Sequence, residues 1–277
     1  MSVEIAVDLL RGFDLRIAGE AVMLGAGAQR LLAFLALKER PQPRTHVAAM
    51  LWPDTTTEKS KASLRTSLWR IQRVDAGIVR VQADRVRLGL DVVVDYPVVR
   101  ANALRLLAGP VREGELLSAE TRAALACELL PDWYDDWALV EREQFRQLRL
   151  HALEAMCESL TSVGRLGEAV NAGLCAVHAE PLRESAHRAV IKSHLAAHNH
   201  CEALRQYDSY RHLLNAELGL DPSPALTALL TGVVAPDRLR RTGAVSKGSA
   251  RRGRAPRGPG PPGTYLMTVT VARPTTG

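Results

Sequence analysis

The 277-residue chain carries 36 Lys and Arg against 30 Asp and Glu, a net charge of +6, with 47% hydrophobic and 24% charged residues. Such a composition supports buried cores, a length of this order suits two domains, and no apolar run approaches the roughly 18 residues that a bilayer span needs. The charge is unevenly spread: residues 1–100 are net +4, residues 101–236 net −6 and residues 237–277 net +8. The basicity therefore comes largely from the tail. An asymmetry of this kind points to a nucleic-acid contact at one end and a protein-facing or solvated middle. The first residues include Glu4, Asp8, Asp14 and Glu20 and lack the apolar core of a signal peptide, so a cytoplasmic protein without membrane contact is expected. Cys127, Cys157, Cys175 and Cys201 never form C-x-x-C, and at least three of them are expected as reduced core residues.

In chain order, Val3–Leu10, Phe13–Ile17 and Ala21–Leu24 are short apolar runs punctuated by glycines, as in a small antiparallel sheet. From Gly27 the period changes, and Ala28–Leu37 reads as a helix that Pro41 and Pro43 follow. Thr45 is placed to cap a short helix over Val47–Leu51, and Trp52-Pro53-Asp54 breaks it. One of Thr55, Thr56 and Thr57 then caps a longer helix to about Val74, with Gly77 beyond its end. Ile78–Val81 and Arg85–Leu90 alternate around Gln82-Ala83-Asp84-Arg85 as a hairpin, and Asp91–Asp95 reads as a further extended piece. Strands, helix, turn, helix and hairpin in this order outline a winged helix-turn-helix.

The helix before Val74 carries the functional signal. Leu64, Leu68 and Ile71 recur at helical spacing and form an inner stripe. Lys59, Ala62, Thr66, Trp69, Arg70 and Arg73 fall opposite it, with Arg65 on the flank. An isolated basic helix face is more often plain solvated surface. Its place after a short turn and before a hairpin bearing Arg80, Arg85 and Arg87 favours a helix that enters a major groove, where Arg pairs bidentately with guanine and Thr reaches a base edge. Arg85 and Arg87 are two apart and share one strand face, suited to phosphate or minor-groove contact. Trp69 either stacks at the DNA backbone or packs against the second domain.

Beyond Leu104 almost everything reads as helix: one or two within Gly114–Leu130, then an aromatic-acidic connector, Leu130 to Trp137, then a long helix over Trp137–Val163. Gly167-Glu168-Ala169-Val170 recurs as Cys201-Glu202-Ala203-Leu204 at an offset of 34 residues. At that offset Ala152 matches Ala186, Ala155 matches Ala189, Met156 matches Val190 and Ser159 matches Ser193. Small residues recurring at this period are the mark of tetratricopeptide-like helix pairs. Asp221-Pro222-Ser223-Pro224 introduces a last helix over Ala225–Val233. The expected division is residues 1–97 for the winged helix, 98–235 for the helical repeats and 236–277 for a basic Gly/Pro/Arg tail too poor in apolar residues to order. Within that tail Tyr265–Val271 is an apolar patch for which no account is found.

Several segments together resemble the Streptomyces antibiotic regulatory proteins. Gly12-Phe13-Asp14-Leu15, Gln29 to Ala33, Leu51-Trp52-Pro53-Asp54 and Leu64 to Ile71 resemble their N-terminal domain. Leu130 to Trp137, Glu141-Arg142-Glu143, Leu148 to Glu154 and Leu218 to Leu226 resemble their bacterial transcriptional activation domain. The resemblance spans about residues 5–232. It implies a mainly α fold with a small β part: an OmpR-like winged helix-turn-helix followed by a tetratricopeptide-like all-α domain. It further implies an activator of a secondary-metabolite gene cluster that binds direct repeats in double-stranded promoter DNA, as a dimer on those repeats, and engages RNA polymerase holoenzyme. On this reading Lys59, Arg65, Thr66, Trp69, Arg70 and Arg73 lie on the recognition helix, and Arg80, Arg85 and Arg87 on the wing.

Other classes find less support. The 277 residues hold no G-x-x-x-x-G-K-[ST], so no nucleotide site of that type is expected. His194 and His198 share a helix face near His200 and Cys201, a pattern that could hold zinc, but the Glu of H-E-x-x-H is missing and His194 aligns with Leu160 in the repeat. No nucleophile–base or paired-carboxylate constellation is legible. No cofactor, metal or catalysis is expected. The competing function is a helical-repeat scaffold without specific DNA binding.

Overall fold

The computed structural model describes residues 4–111 and 114–232, which belong to one compact unit. The tail expected over 236–277 lies outside the described residues, as do Val3 and Val233 at the ends of two expected elements. The fold is mainly helical with a small β part.

Strands β1 (Ile5–Asp8), β2 (Asp14–Ile17) and β3 (Glu20–Ala21) form an antiparallel meander. Helix α1 (Ala26–Ala36), strand β4 (Gln42–Pro43), helix α2 (Arg44–Leu51) and helix α3 (Thr57–Val74) follow. Thr45 does not cap α2, which starts one residue earlier, because the Arg44 N–H donates to the Asp84 carbonyl at 2.7 Å and Pro43 stands at the N-cap. Strands β5 (Val79–Gln82) and β6 (Arg85–Leu88) pair antiparallel, and β4 adds to β6. Only glycine fits at position 89, where a Cβ would stand 1.9 Å from the Gly77 carbonyl oxygen. Strand β7 (Val92–Val94) returns to pair parallel with β1, giving the sheet order β3-β2-β1-β7.

Helix α4 (Asp95–Leu107) begins nine residues before Leu104, where the apolar pattern suggests helix, and runs across position 97. Asp95, expected as the end of an extended piece, is its first residue, and Pro97 is tolerated because in the first turn of a helix its missing N–H has no partner to lose. A 3-10 turn (Glu115–Leu117) and α5 (Ala119–Leu125) lead to the long α6 (Asp136–Ser162). Then come α7 (Leu166–Ala179), α8 (Glu184–Ala196), α9 (His200–Leu218) and the short α10 (Pro224–Ala228), capped by the Ser223 hydroxyl. Helix α10 ends five residues short of the expected Val233.

The 34-residue offset becomes geometry here. Helices α7 and α9 start 34 residues apart, and the C-terminal half of α6 is the counterpart of α8. Ala152, Met156, Ala169, Ala186, Val190 and Ala203 are all fully buried. Helices α7 and α8 approach so closely at Gly173 that an added Cβ would meet Val190 Cγ2 at 2.6 Å and Cys157 Sγ at 3.2 Å. The thiols depart from expectation. All four are free, but only Cys157 is fully buried; Cys127 and Cys175 are half-buried and Cys201 is exposed, because it sits in the first turn of α9 on the solvent side.

The two halves share one core. Leu10 bridges Leu129, the Leu130 N–H donates to the Leu9 carbonyl at 2.9 Å, and the Arg11 N–H donates to the Glu128 carbonyl at 2.8 Å. Asp95 stands between them: its carboxylate accepts the N–H groups of Leu9 and Leu10 at 2.9 Å each and of Tyr96 at 2.6 Å. Burial pushes the Asp95 carboxyl up despite these three bonds. Replacing Asp95 by Ala leaves three backbone donors without a partner and is expected to lower stability by about 2–3 kcal/mol in urea unfolding. Asp95→Asn keeps the oxygen that serves Leu9 and Tyr96 and should fall between wild type and Ala; equal stability of all three would show that the carboxylate is not structural.

His187 provides a pH-dependent element. It is 3% exposed and stacked on Tyr210 with ring centroids 4.3 Å apart. Its Nε2 donates to the Pro181 carbonyl at 2.9 Å, and Nδ1 accepts from Gln206 Nε2 at 2.8 Å. Burial pushes its pKa down. The unfolded chain then binds the proton more tightly, so stability is full above the ordinary imidazole value near ~6.5 and falls as the pH drops below it. The unfolding midpoint should fall less between about pH 8 and pH 5 in His187→Gln than in wild type; an identical fall would remove His187 as a cause.

Candidate nucleic-acid interface

Helix α3 is built to present one face. The Thr56 hydroxyl accepts from the Lys59 N–H at 3.4 Å and caps its N-terminus. Ser60, Leu64, Ser67, Leu68 and Ile71 are buried against α1 and α2. The approach is closest at Gly27 of α1, where a Cβ would stand 3.1 Å from Ser67 Oγ. The turn between α2 and α3 is held by the Thr55 hydroxyl, which donates to the Trp52 carbonyl at 3.0 Å.

The opposite face is open. Lys59, Arg65, Thr66, Trp69, Arg70 and Arg73 are all exposed, Trp69 to 55%. The Arg73 guanidinium lies 4.9 Å over the Trp69 ring, which holds both side chains at the C-terminal end of the face. Trp69 packs beneath Arg73, not into the repeat helices. The Thr66 hydroxyl donates to the Ala62 carbonyl at 3.1 Å, a bond that any base contact through the donor must break. Arg70 reaches the N-terminal end of α1, its Nη1 3.3 Å from where a Cβ on the N-cap residue Gly25 would stand.

In the hairpin Arg80 stands opposite Arg87 and Gln82 opposite Arg85, on the face away from buried Val79 and Val86. Arg80 and Arg85 are exposed and Arg87 is half-buried. Arg85 Nη1 donates to the Pro41 carbonyl at 3.3 Å, and Arg80 lies 3.9 Å from Asp91. The structure therefore brings the six α3 residues onto one face, and the three wing arginines onto one face of the adjacent hairpin.

The contrast with the repeat helices lies in charge pairing. There most of the cations are matched: Arg146 with Glu143, Arg165 with Glu168, Arg183 with Glu154 and Arg211 with Asp208, each at 2.6–3.0 Å, while Arg188 of α8 has no ion pair among the described residues. Among the described residues Lys59, Arg65, Arg70 and Arg73 have no carboxylate within ion-pair distance. The one pair on α3, Lys61 with Glu58 at 3.0 Å, uses neither a buried-stripe residue nor a residue of the basic face.

Other sequence candidates do not assemble into a site. His194 is half-buried, as its alignment with Leu160 implied, and burial pushes its pKa down. His198 and His200 have ring centroids 6.4 Å apart. Among the described residues no group of three His, Cys, Asp or Glu side chains is arranged to hold a metal ion, and no helix is long and apolar enough to cross a membrane. Sequence reasoning missed the ion pairs that join the two halves, Arg30 with Asp135 and Lys38 with Glu141, the latter at 2.6 Å. Their partners lie 105 and 103 residues apart, so no local pattern could signal them.

Comparison with known proteins agrees with this architecture. Residues 99–233 match the bacterial transcriptional activator domain. The chain is 30% identical over 230 residues to the regulatory protein AfsR of Streptomyces coelicolor, a match covering 79% of this chain and 23% of that protein. The AfsR of Streptomyces griseus is 25% identical over 228 residues, again covering 79% and 23%. This chain thus spans less than a quarter of the length of those relatives. Among solved structures, Mycobacterium tuberculosis EmbR in complex with a low-affinity phosphopeptide superposes with a TM-score of 0.65 at 19% identity, covering 82% of this chain and 64% of that one, a likeness of fold. The activator domain over the helical half and the likeness to AfsR across both halves support assignment of the chain to the Streptomyces antibiotic regulatory protein family.

Proposed function

We propose that this chain is a sequence-specific activator that binds double-stranded promoter DNA with α3 in the major groove and the β5–β6 hairpin on the adjacent backbone. The observation that carries this reading is the contrast in charge pairing. Repeat helices that neutralise most of their own arginines gain little from a polyanion, whereas the unpaired cations of α3 lose little by exchanging water and counterions for phosphate and base edges. Arg65, Arg70 and Arg73 are the candidates for base contact, Lys59 and the exposed wing arginines Arg80 and Arg85 for phosphate, and Trp69 supports Arg73. The likeness to AfsR supports control of a secondary-metabolite gene cluster. Direct repeats in the promoter would be bound by two copies, with the acidic helical half, taken as residues 98–235, recruiting RNA polymerase holoenzyme in the bacterial cytoplasm. No step of this function needs catalysis or a cofactor.

The test is a mobility shift on a fragment of the controlled promoter. Arg70→Ala with Arg73→Ala is expected to weaken specific binding by a few kcal/mol, at about 1–3 kcal/mol per bidentate base contact, and to leave binding to unrelated duplex less affected. Lys59→Ala should weaken specific and unrelated binding alike and reduce the salt slope by about 1. Unchanged promoter affinity in a folded Arg70/Arg73 variant would remove α3 from the interface. No sequence-specific shift by the wild type would favour a helical-repeat scaffold.

A further inference from the structure

A concavity of about 550 Å3 lies where the C-terminal end of α1, the base of the hairpin, β7 and the first turn of α4 meet α6. Leu88, Val92 and Val94 form an apolar part of its lining. Its charged rim is of two kinds. Lys38 and Arg100 are neutralised, by Glu141 at 2.6 Å and Glu39 at 3.5 Å. Arg40 and Arg87 line the same space and have no carboxylate partner among the described residues.

Tyr96 adds a donor to the same space. It is 5% exposed, lines the concavity, and has its ring held edge-on against Phe145 at 5.2 Å. Its hydroxyl has no hydrogen-bond partner among the described residues and is open to solvent rather than buried, so it can donate to an occupant. Burial, and after it the Glu141 carboxylate, pushes the phenol pKa up, so the group stays a donor. Two unpaired guanidinium groups and one donor hydroxyl beside an apolar lining are complementary to a molecule with an apolar body and an acidic head. The volume falls in the range of small-molecule sites, roughly 300–1,000 Å3.

We propose that this concavity binds a small amphipathic organic acid, with Arg40 and Arg87 on the acidic group, the Tyr96 hydroxyl donating to it, and the apolar lining against its body. DNA phosphate is the poorer fit, because Glu39 and Glu141 stand in the same rim and the apolar lining offers a polyanion nothing. Arg87 belongs to the hairpin and Glu141 to α6, so an occupant touches both halves of the unit. The inference does not depend on DNA binding: a failed promoter shift leaves it standing.

Anilinonaphthalene sulfonate has the required chemistry and reports its own burial by fluorescence. Titration of the full chain is expected to show one saturable site, and Arg40→Gln with Arg87→Gln should weaken it by about tenfold or more, the value of one charge-assisted hydrogen bond. Tyr96→Phe should weaken it by about threefold. The uncharged analogue N-phenylnaphthylamine should be indifferent to both arginines. Should the double variant fail to fold, Arg40→Gln alone, at an exposed position outside any element, gives the same reading. Absence of a saturable site, wild-type affinity in the folded arginine variants, or equal binding of the neutral dye would overturn the proposal. So would stoichiometric displacement of the probe by a short duplex of unrelated sequence, which would assign these arginines to the DNA backbone.

Discussion

Everything on either side of the junction depends on where Asp95 sits. Three converging backbone N–H groups fix its carboxylate, and through it the end of β1, the start of α4 and the parallel return of β7 are one construction. A parallel strand needs a long crossover, and here the crossover is the whole helix-turn-helix and wing. The hairpin and α3 are therefore an excursion between two neighbouring strands, and those strands are anchored at the first turn of the repeat helices. Arg142 reinforces the arrangement from the other side, its guanidinium donating to the carbonyls of Leu129, Leu130 and Trp133.

Aromatic packing makes the junction hydrophobic as well as hydrogen-bonded. Phe34 of α1 meets Trp137 of α6 edge-on at 5.5 Å, Phe13 meets Trp133 at 5.9 Å, and Trp133 meets Trp137 at 5.8 Å. The ion pairs Arg30–Asp135 and Lys38–Glu141 flank this cluster and are partly shielded from water, where pairing is screened less than on an open surface. Their contribution is orientation more than stability, since desolvation offsets much of a partly buried pair. The acidic residues of the connector, which by composition alone look like a solvated loop, thus serve as the counter-surface for α1.

How much of this the sequence disclosed follows from the range of each interaction. Helix α3 was legible because Leu64, Leu68 and Ile71 repeat at the helical period and Thr56 is a good cap, and both signals are local. The repeat was legible because close helix packing selects small residues at fixed offsets. Helix α4 was misjudged at its start because the β-branched run Val92–Val94 carries an extended signal through Asp95, which the hydrogen bonds around Asp95 override. Thr45 failed as a cap because a hydrogen bond from Arg44 to the hairpin turn, 40 residues on, sets the helix start. The basic face could be drawn on a wheel, but that its cations are unpaired while most of those of the repeats are paired is a three-dimensional fact.

That difference in pairing has a consequence for how the two halves are coupled. The basic face of α3 and the largely neutralised repeats do not compete for the same counter-charges, so an anion on α3 need not disturb the α6–α9 stack. The junction is different. Lys38 and Arg100 are shared with Glu141 and Glu39, and Tyr96 is set between them. A charge that enters there must be met by Arg40 and Arg87 or by rearrangement of pairs that link α1 to α6. The junction is thus the place in the described fold where a local electrostatic change acts on both the hairpin and the repeat helices at once.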